Sequence, residues 1–214
     1  MRYTKLFAGL LSGMALLSGC SSSTTFRQKW TKQKAPEVFK ARFETTQGNF
    51  DIEARREWSP AGVDRLYQLI KHSYFTNIPV YRVVPNFVAQ FGSIDTTQTN
   101  PWDKTTLPDE PVKQSNLKGT ISFARAGKNT RGHQLYININ DNVRLDTSGT
   151  GMGVPGFPVV AKLTAGYDSV LRFHSYGDEP RRNLRGQANA GVFLQEKYPK
   201  MAYIKKAYLL KKGR

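Results

Sequence analysis

Short β-prone runs, each only a few residues long and bounded by turn residues, recur along most of this chain beyond residue 37 and leave little room for long helices. Phe43 and Thr45, then Phe50, Ile52 and Ala54, alternate on either side of Gln47-Gly48, the pattern of two half-buried strands joined by a tight turn. The runs Val80 to Val84, Phe87 to Phe91, Gly119 to Ala124, Gln134 to Asn138, Phe157 to Leu163 and Tyr203 to Leu210 predict further strands. Ser59-Pro60 supplies an N-cap and a proline at the first helical position, and Val63, Leu66, Leu69 and Ile70 follow at helical spacing to about Lys71. Tyr167 to His174 and Gln187 to Tyr198, the latter stopped by Pro199, predict two more helices. The pattern is mainly β: a closed eight-stranded antiparallel barrel whose open ends are capped by two or three α-helices.

Cys20 is the only cysteine, so no internal disulfide is available and the fold must rest on its apolar core. Ahead of it stand a basic start with Arg2 and Lys5, an apolar stretch from Leu6 to Leu17, and the small residues Ser18 and Gly19. That order is an export signal, too short in its apolar part to span a bilayer. Leu17-Ser18-Gly19-Cys20 resembles the lipobox of bacterial lipoproteins, which implies cleavage after residue 19 and acylation of Cys20. Ser21, by resemblance to sorted lipoproteins, points to the outer membrane, with the domain facing the periplasm. Residues 20–36 read as a basic tether, and 37–214 as one domain. Loss of Arg2 and Lys5 lowers the formal charge from +16 to +14. Export turns that basic balance away from nucleic acid and towards lipid headgroups, anionic envelope polymers or acidic clients. The expectation is a monomer.

Gly151-Met152-Gly153-Val154-Pro155-Gly156 matches a dinucleotide-binding glycine pattern. Such a loop needs a strand before it and a helix starting within it. Here it leads into a predicted strand, and Pro155 lacks one of the amide donors, so it reads as a loop. His72, His133 and His174 have no ligand spacing and no cysteine partner, which argues against a metal site.

Two stretches carry the chemistry. The first is Tyr81-Arg82-Val83-Val84-Pro85-Asn86-Phe87-Val88-Ala89-Gln90-Phe91-Gly92; the second runs from Ile121 through Ala124-Arg125-Ala126-Gly127-Lys128-Asn129-Thr130-Arg131-Gly132-His133-Gln134-Leu135-Tyr136. Together they resemble the two signatures of the cyclophilins, and the likeness extends from about Phe43 to Leu210. It implies the capped barrel and peptidyl-prolyl isomerase activity without cofactor or metal, acting on proline-containing polypeptides. By the same resemblance Arg82, Phe87 and Gln90 are the catalytic group, and Val88, Arg125, Gln134, Leu135, Tyr136 and Leu145 hold the substrate. Leu135 is expected to floor the proline pocket in place of the usual aromatic. Arg144, where many members carry Trp, implies insensitivity to cyclosporin-type drugs. No histidine follows Leu145 in the glycine-rich stretch from Asp146 to Gly156.

The reaction suits these residue types. Rotation about a peptide bond is opposed by about 18–20 kcal/mol because the nitrogen lone pair is delocalised into the carbonyl. At the barrier the delocalisation is gone and the proline nitrogen can accept a hydrogen bond, so a guanidinium aimed there binds the transition state selectively. Two other readings stay open. The cleft could hold proline loops as a chaperone or scaffold without turnover, or the chain could adhere to anionic polymers through its Lys-rich ends.

Overall fold

The structure, a computed structural model, describes residues 26–94, 100–149, 153, 156–184, 187 and 189–211. The leader, Cys20 and four of the six residues in the loop 151–156 lie outside the described residues.

Nine strands form one antiparallel sheet: β1 (Val38–Thr45), β2 (Gly48–Arg55), β3 (Ile78–Pro79), β4 (Arg82–Val84), β5 (Val88–Phe91), β6 (Thr120–Phe123), β7 (Leu135–Asn138), β8 (Val159–Ala165) and β9 (Tyr203–Leu209). Their order is β3-β9-β1-β2-β8-β6-β7-β5-β4. The two outermost strands are thus neighbours in the chain, separated only by Val80 and Tyr81, and the Gly92 N–H after β5 donates to the Pro79 carbonyl at 3.4 Å. The sheet is curled, and among the described residues a single backbone hydrogen bond links its two ends at this crossing. The expected eight strands become nine because a two-residue strand, Ile78–Pro79, precedes the Val80 to Val84 run: Ile78 pairs with Ile204 of β9, whereas Arg82 pairs with Gln90 of β5.

Alternation explains the core. Phe39, Ala41 and Phe43 of β1 and Phe50, Ile52 and Ala54 of β2 all point inward, two residues apart as strand geometry requires. Phe43 stacks on Phe50 with centroids 4.9 Å apart, and Phe75 packs edge-on against Phe43 at 5.1 Å. Helix α1 (Pro60–Lys71) lays Val63, Leu66, Leu69 and Ile70 on this core. Its N-terminus differs from expectation. Ser59 stands at the N-cap but its side chain does not cap the helix; the carboxylate of Glu110 accepts from the Ala61 and Gly62 amides at 2.8 and 3.2 Å, and from the Ser59 hydroxyl at 2.5 Å. The fully buried Arg131 reaches the same carboxylate at 2.8 Å.

The C-terminal part holds α2 (Tyr167–Leu171), α3 (Glu179–Asn183) and α4 (Ala190–Lys197). Helix α2 stops before the expected His174, and Phe173 turns into the core. Helix α4 contributes Ala190 and Leu194 to a second cluster with Tyr81, Leu184, Tyr198 and Met201. Part of the expected tether is held against the domain. Residues Gln28–Lys32 form a 3-10 helix, Trp30 stacks on His72 at 4.0 Å, and Phe26 meets Trp102 edge-on at 5.0 Å. Aromatic contact offsets the polar composition on which the tether reading rested. Among the described residues no helix is long and apolar enough to cross a membrane.

Candidate active site

One row across the sheet assembles the cleft. Antiparallel register pairs Arg82 with Gln90, Gln90 with Tyr136, and Tyr136 with Ser122. Directly opposed residues on antiparallel strands share a face, so motifs 46 residues apart by the numbering of Gln90 and Tyr136 present their side chains to one surface. Arg82 Nη1 donates to Gln90 Oε1 at 3.5 Å, and the guanidinium carbon lies 5.6 Å from the Phe87 ring centroid. Arg82 therefore meets both of the other residues expected to catalyse.

Beside them Val88, Tyr136 and Leu145 form a small buried apolar cluster, closed by Phe87, Ala124 and Phe157. A cavity of about 260 Å³ opens over it, walled on its polar side by Arg82, Gln90, Arg125 and Arg181. An apolar hollow with a few convergent polar groups is the usual form of a small-ligand site. Burial pushes the Tyr136 phenol well above its ordinary range, so it stays a neutral donor. Arg144 lies over Phe87 as well, its guanidinium carbon 4.6 Å from the centroid, in the position where an aromatic neighbour was expected to be missing.

Leu135 is the exception among the expected site residues. It is fully buried on the other face of β7, in the main core with Phe91 and Ile137. Strand alternation sends adjacent residues to opposite faces, and the floor is Tyr136, the next residue along. The pocket thus keeps an aromatic floor. Gln134 lines a second cavity of about 270 Å³ that shares Gln90, Ala124, Arg125 and Arg181 with the first; its amide is held by the Tyr81 hydroxyl at 2.9 Å and the Ser93 carbonyl at 3.1 Å. Arg125 lies between the two cavities, its guanidinium carbon 4.7 Å from the Phe157 centroid and one nitrogen 3.6 Å from Asp109. Burial lowers the Arg125 pKa, against the pull of Asp109.

Three groups of residues were not legible as site residues. Asn116 is fully buried beneath the floor; its side-chain oxygen accepts from Tyr136, Ser122 and Asn138, and its amide donates to Asp146 and the Phe157 carbonyl. Phe157 closes the pocket from the end of the loop that separates it from Leu145. Asp178 and Arg181 come from α3 and its cap, and Asp178 accepts a hydrogen bond from Arg82 Nε. A lone Asn or Asp in a loop carries no spacing by which sequence could assign it. Among the described residues no cluster of His, Cys, Asp or Glu could hold a metal ion.

A family model described as cyclophilin type peptidyl-prolyl cis-trans isomerase/CLD matches residues 40–184. The peptidyl-prolyl cis-trans isomerase of Acinetobacter baylyi is 29% identical over 133 residues, covering 59% of this chain and 66% of that protein, so the match spans just under two thirds of the relative. The peptidyl-prolyl cis-trans isomerase-like 1 protein of Emericella nidulans is 30% identical over 117 residues, 52% of this chain and 71% of that protein. A crystal structure of a Cryptosporidium parvum cyclophilin type isomerase superposes with a TM-score of 0.60 at 17% identity, covering 82% of this chain and 99% of that one. A second structure of that protein, obtained in the presence of the dipeptide Ala-Pro, gives 0.58.

Proposed function

Because the chain belongs to the cyclophilin-type peptidyl-prolyl cis-trans isomerase family, we propose that its cleft accelerates rotation about Xaa-Pro bonds in envelope polypeptides, from a lipid anchor at Cys20. The observation that carries the reading is the Arg82–Gln90 register pair, set at the rim of the apolar pocket of Val88, Tyr136 and Leu145. A proline ring seated there would lie beside the Arg82 guanidinium. The Ala-Pro dipeptide used with the Cryptosporidium relative is a ligand of the size such a pocket takes.

In the planar ground states the proline nitrogen offers Arg82 nothing, and as the amide twists it becomes an acceptor. A charge-assisted hydrogen bond contributes about 1.5–3 kcal/mol, and each ~1.4 kcal/mol is a tenfold rate. The apolar walls strengthen that bond by excluding water, and Gln90 limits the directions the guanidinium can take. Bonds are neither made nor broken, so the scheme needs no nucleophile or general base.

Uncatalysed prolyl isomerisation takes tens to hundreds of seconds, slow enough to limit folding of exported proteins. The lipobox-like Leu17 to Cys20 supports a lipid anchor, Ser21 supports the outer membrane with the domain facing the periplasm, and the formal charge of +14 left after loss of Arg2 and Lys5 supports contact with anionic envelope polymers. The test is exchange NMR of a short Ala-Pro peptide with the full chain in detergent, against Arg82→Ala. Conversion that is lost in the variant is expected. Binding without conversion in the parent would make the cleft a binding module instead. For the anchor, a globomycin-type block of lipoprotein processing should leave the precursor uncleaved; normal maturation under the block would refute it.

A further inference from the structure

The row that builds the cleft extends one residue beyond the expected catalytic group. Val83 of β4 forms an isolated antiparallel bridge with Gly177, and the same register sets Asp178 opposite Arg82. Two hydrogen bonds and a backbone turn fix the segment there: the Ser175 hydroxyl donates to the Val83 carbonyl at 2.6 Å, the Gly177 amide donates to the Ser175 hydroxyl at 3.3 Å, and Gly177 adopts φ +59°, which favours glycine. Arg82 is consequently flanked on both sides, by Gln90 Oε1 at one nitrogen and by Asp178 at another.

We propose that Asp178 is a positioning residue for isomerisation: by accepting from Arg82 Nε it holds the guanidinium plane so that its Nη edge faces the proline cavity. An arginine side chain free to sample its rotamers would present that edge only part of the time, and preorganised donors act by avoiding reorganisation as charge or lone pairs develop. The division of labour follows from the geometry. Nε points back to α3, Nη1 reaches Gln90, and Arg82 still forms part of the cavity wall. The carboxylate is about one third exposed and is shared with Arg181 at 3.7 Å, so it holds Arg82 without being sealed in the core.

This inference rests on the proposed isomerase activity, and its test separates the two. Exchange NMR over a peptide concentration series gives kcat and KM for the full chain in detergent, for Asp178→Ala and for Asp178→Asn. Alanine removes the acceptor and should lower kcat about tenfold with KM changed less than about twofold. Asparagine keeps an acceptor oxygen and should retain about half of kcat or more. In parallel the Arg82 Nε–H signal, assigned by its disappearance in Arg82→Lys, should exchange with solvent at least about tenfold faster in Asp178→Ala. A merely structural role would not move that signal while leaving the thermal midpoint unchanged. Should the alanine variant fail to fold, Asp178→Ser removes the carboxylate and is read in the same way. Unchanged kcat or an unchanged Nε–H signal in a folded variant overturns the proposal with the isomerase reading intact. A parent chain that converts no peptide sinks that reading, and this proposal with it.

Discussion

The Tyr136 hydroxyl donates to the side-chain oxygen of Asn116 at 3.0 Å, tying the floor of the proline pocket to a fully buried amide that also binds Asp146 and the Phe157 carbonyl. Replacing Asn116 by Ala leaves the donors of Tyr136 and Ser122 short of an acceptor, whereas the Asn138 amide keeps Thr120. Each buried unsatisfied group costs about 1–3 kcal/mol. Asn116→Ala should therefore lose about 3 kcal/mol of unfolding free energy by urea titration, whereas Tyr136→Phe, which keeps the ring, should lose about 1 kcal/mol and retain activity within a few-fold.

Arg82→Lys keeps the charge and discards the planar fork. With one nitrogen it cannot reach both Gln90 and Asp178 while facing the cavity. Activity of Arg82→Lys on an Ala-Pro peptide should fall at least about tenfold, and that of Arg82→Ala by about 10- to 150-fold, the rate equivalent of a 1.5–3 kcal/mol hydrogen bond. Peptide affinity, read by chemical-shift titration, should change far less, because the bond belongs to the twisted amide.

Glu110 does two tasks, neutralising the buried Arg131 and capping α1 in place of the Ser59 side chain. Burial pushes its carboxyl up, but the Ser59 and Arg131 hydrogen bonds outweigh this and leave its pKa lowered. Removing one partner of a buried ion pair costs about 3–5 kcal/mol. Glu110→Ala should lower the thermal midpoint by roughly 10 °C, seen by calorimetry, with a smaller drop for Glu110→Gln.

His133 lies between the Tyr74 hydroxyl, at 2.6 Å from Nδ1, and Asp103, which takes its Nε2–H. Burial lowers its pKa below the ordinary 6.5, although Asp103 pulls the other way. The unfolded chain therefore takes up a proton before the folded one does. This contribution is fully present above pH 6.5 and is lost as pH falls through the lowered folded value. His72, also lowered by burial and by Lys71, acts in the same direction. Unfolding free energy measured from about pH 7.5 to 5 should decline, and His133→Asn should flatten part of the slope.

Where physics is local, the sequence was a good guide. Alternating apolar residues located β1 and β2, and the spacing from Val63 to Ile70 located α1. The two signature stretches place Arg82, Phe87, Val88, Gln90 and Tyr136 around one cavity, which Leu145 joins from beyond them. Leu135 was assigned to the floor and lies in the core because a strand's two faces differ by one residue, and β7 is buried on both. Glu110, Asn116 and Asp178 were silent for another reason. Each acts on a group far away in the chain, and only the folded register makes Asp178 the neighbour of Arg82. The 3-10 turn at Gln28–Lys32 has no local signature in the sequence, since Trp30 is held by stacking on His72, a tertiary contact.

The short bridge between Gly177 and Val83 has a protective consequence as well. β4 is an outermost strand, and bare strand edges are templates on which other extended chains can add and aggregate. In the proposed role, the chain would meet such polypeptides continually. By bridging to the free side of β4 at Val83, the Ser175 to Asp178 stretch would leave an extended chain no open ladder to add to there.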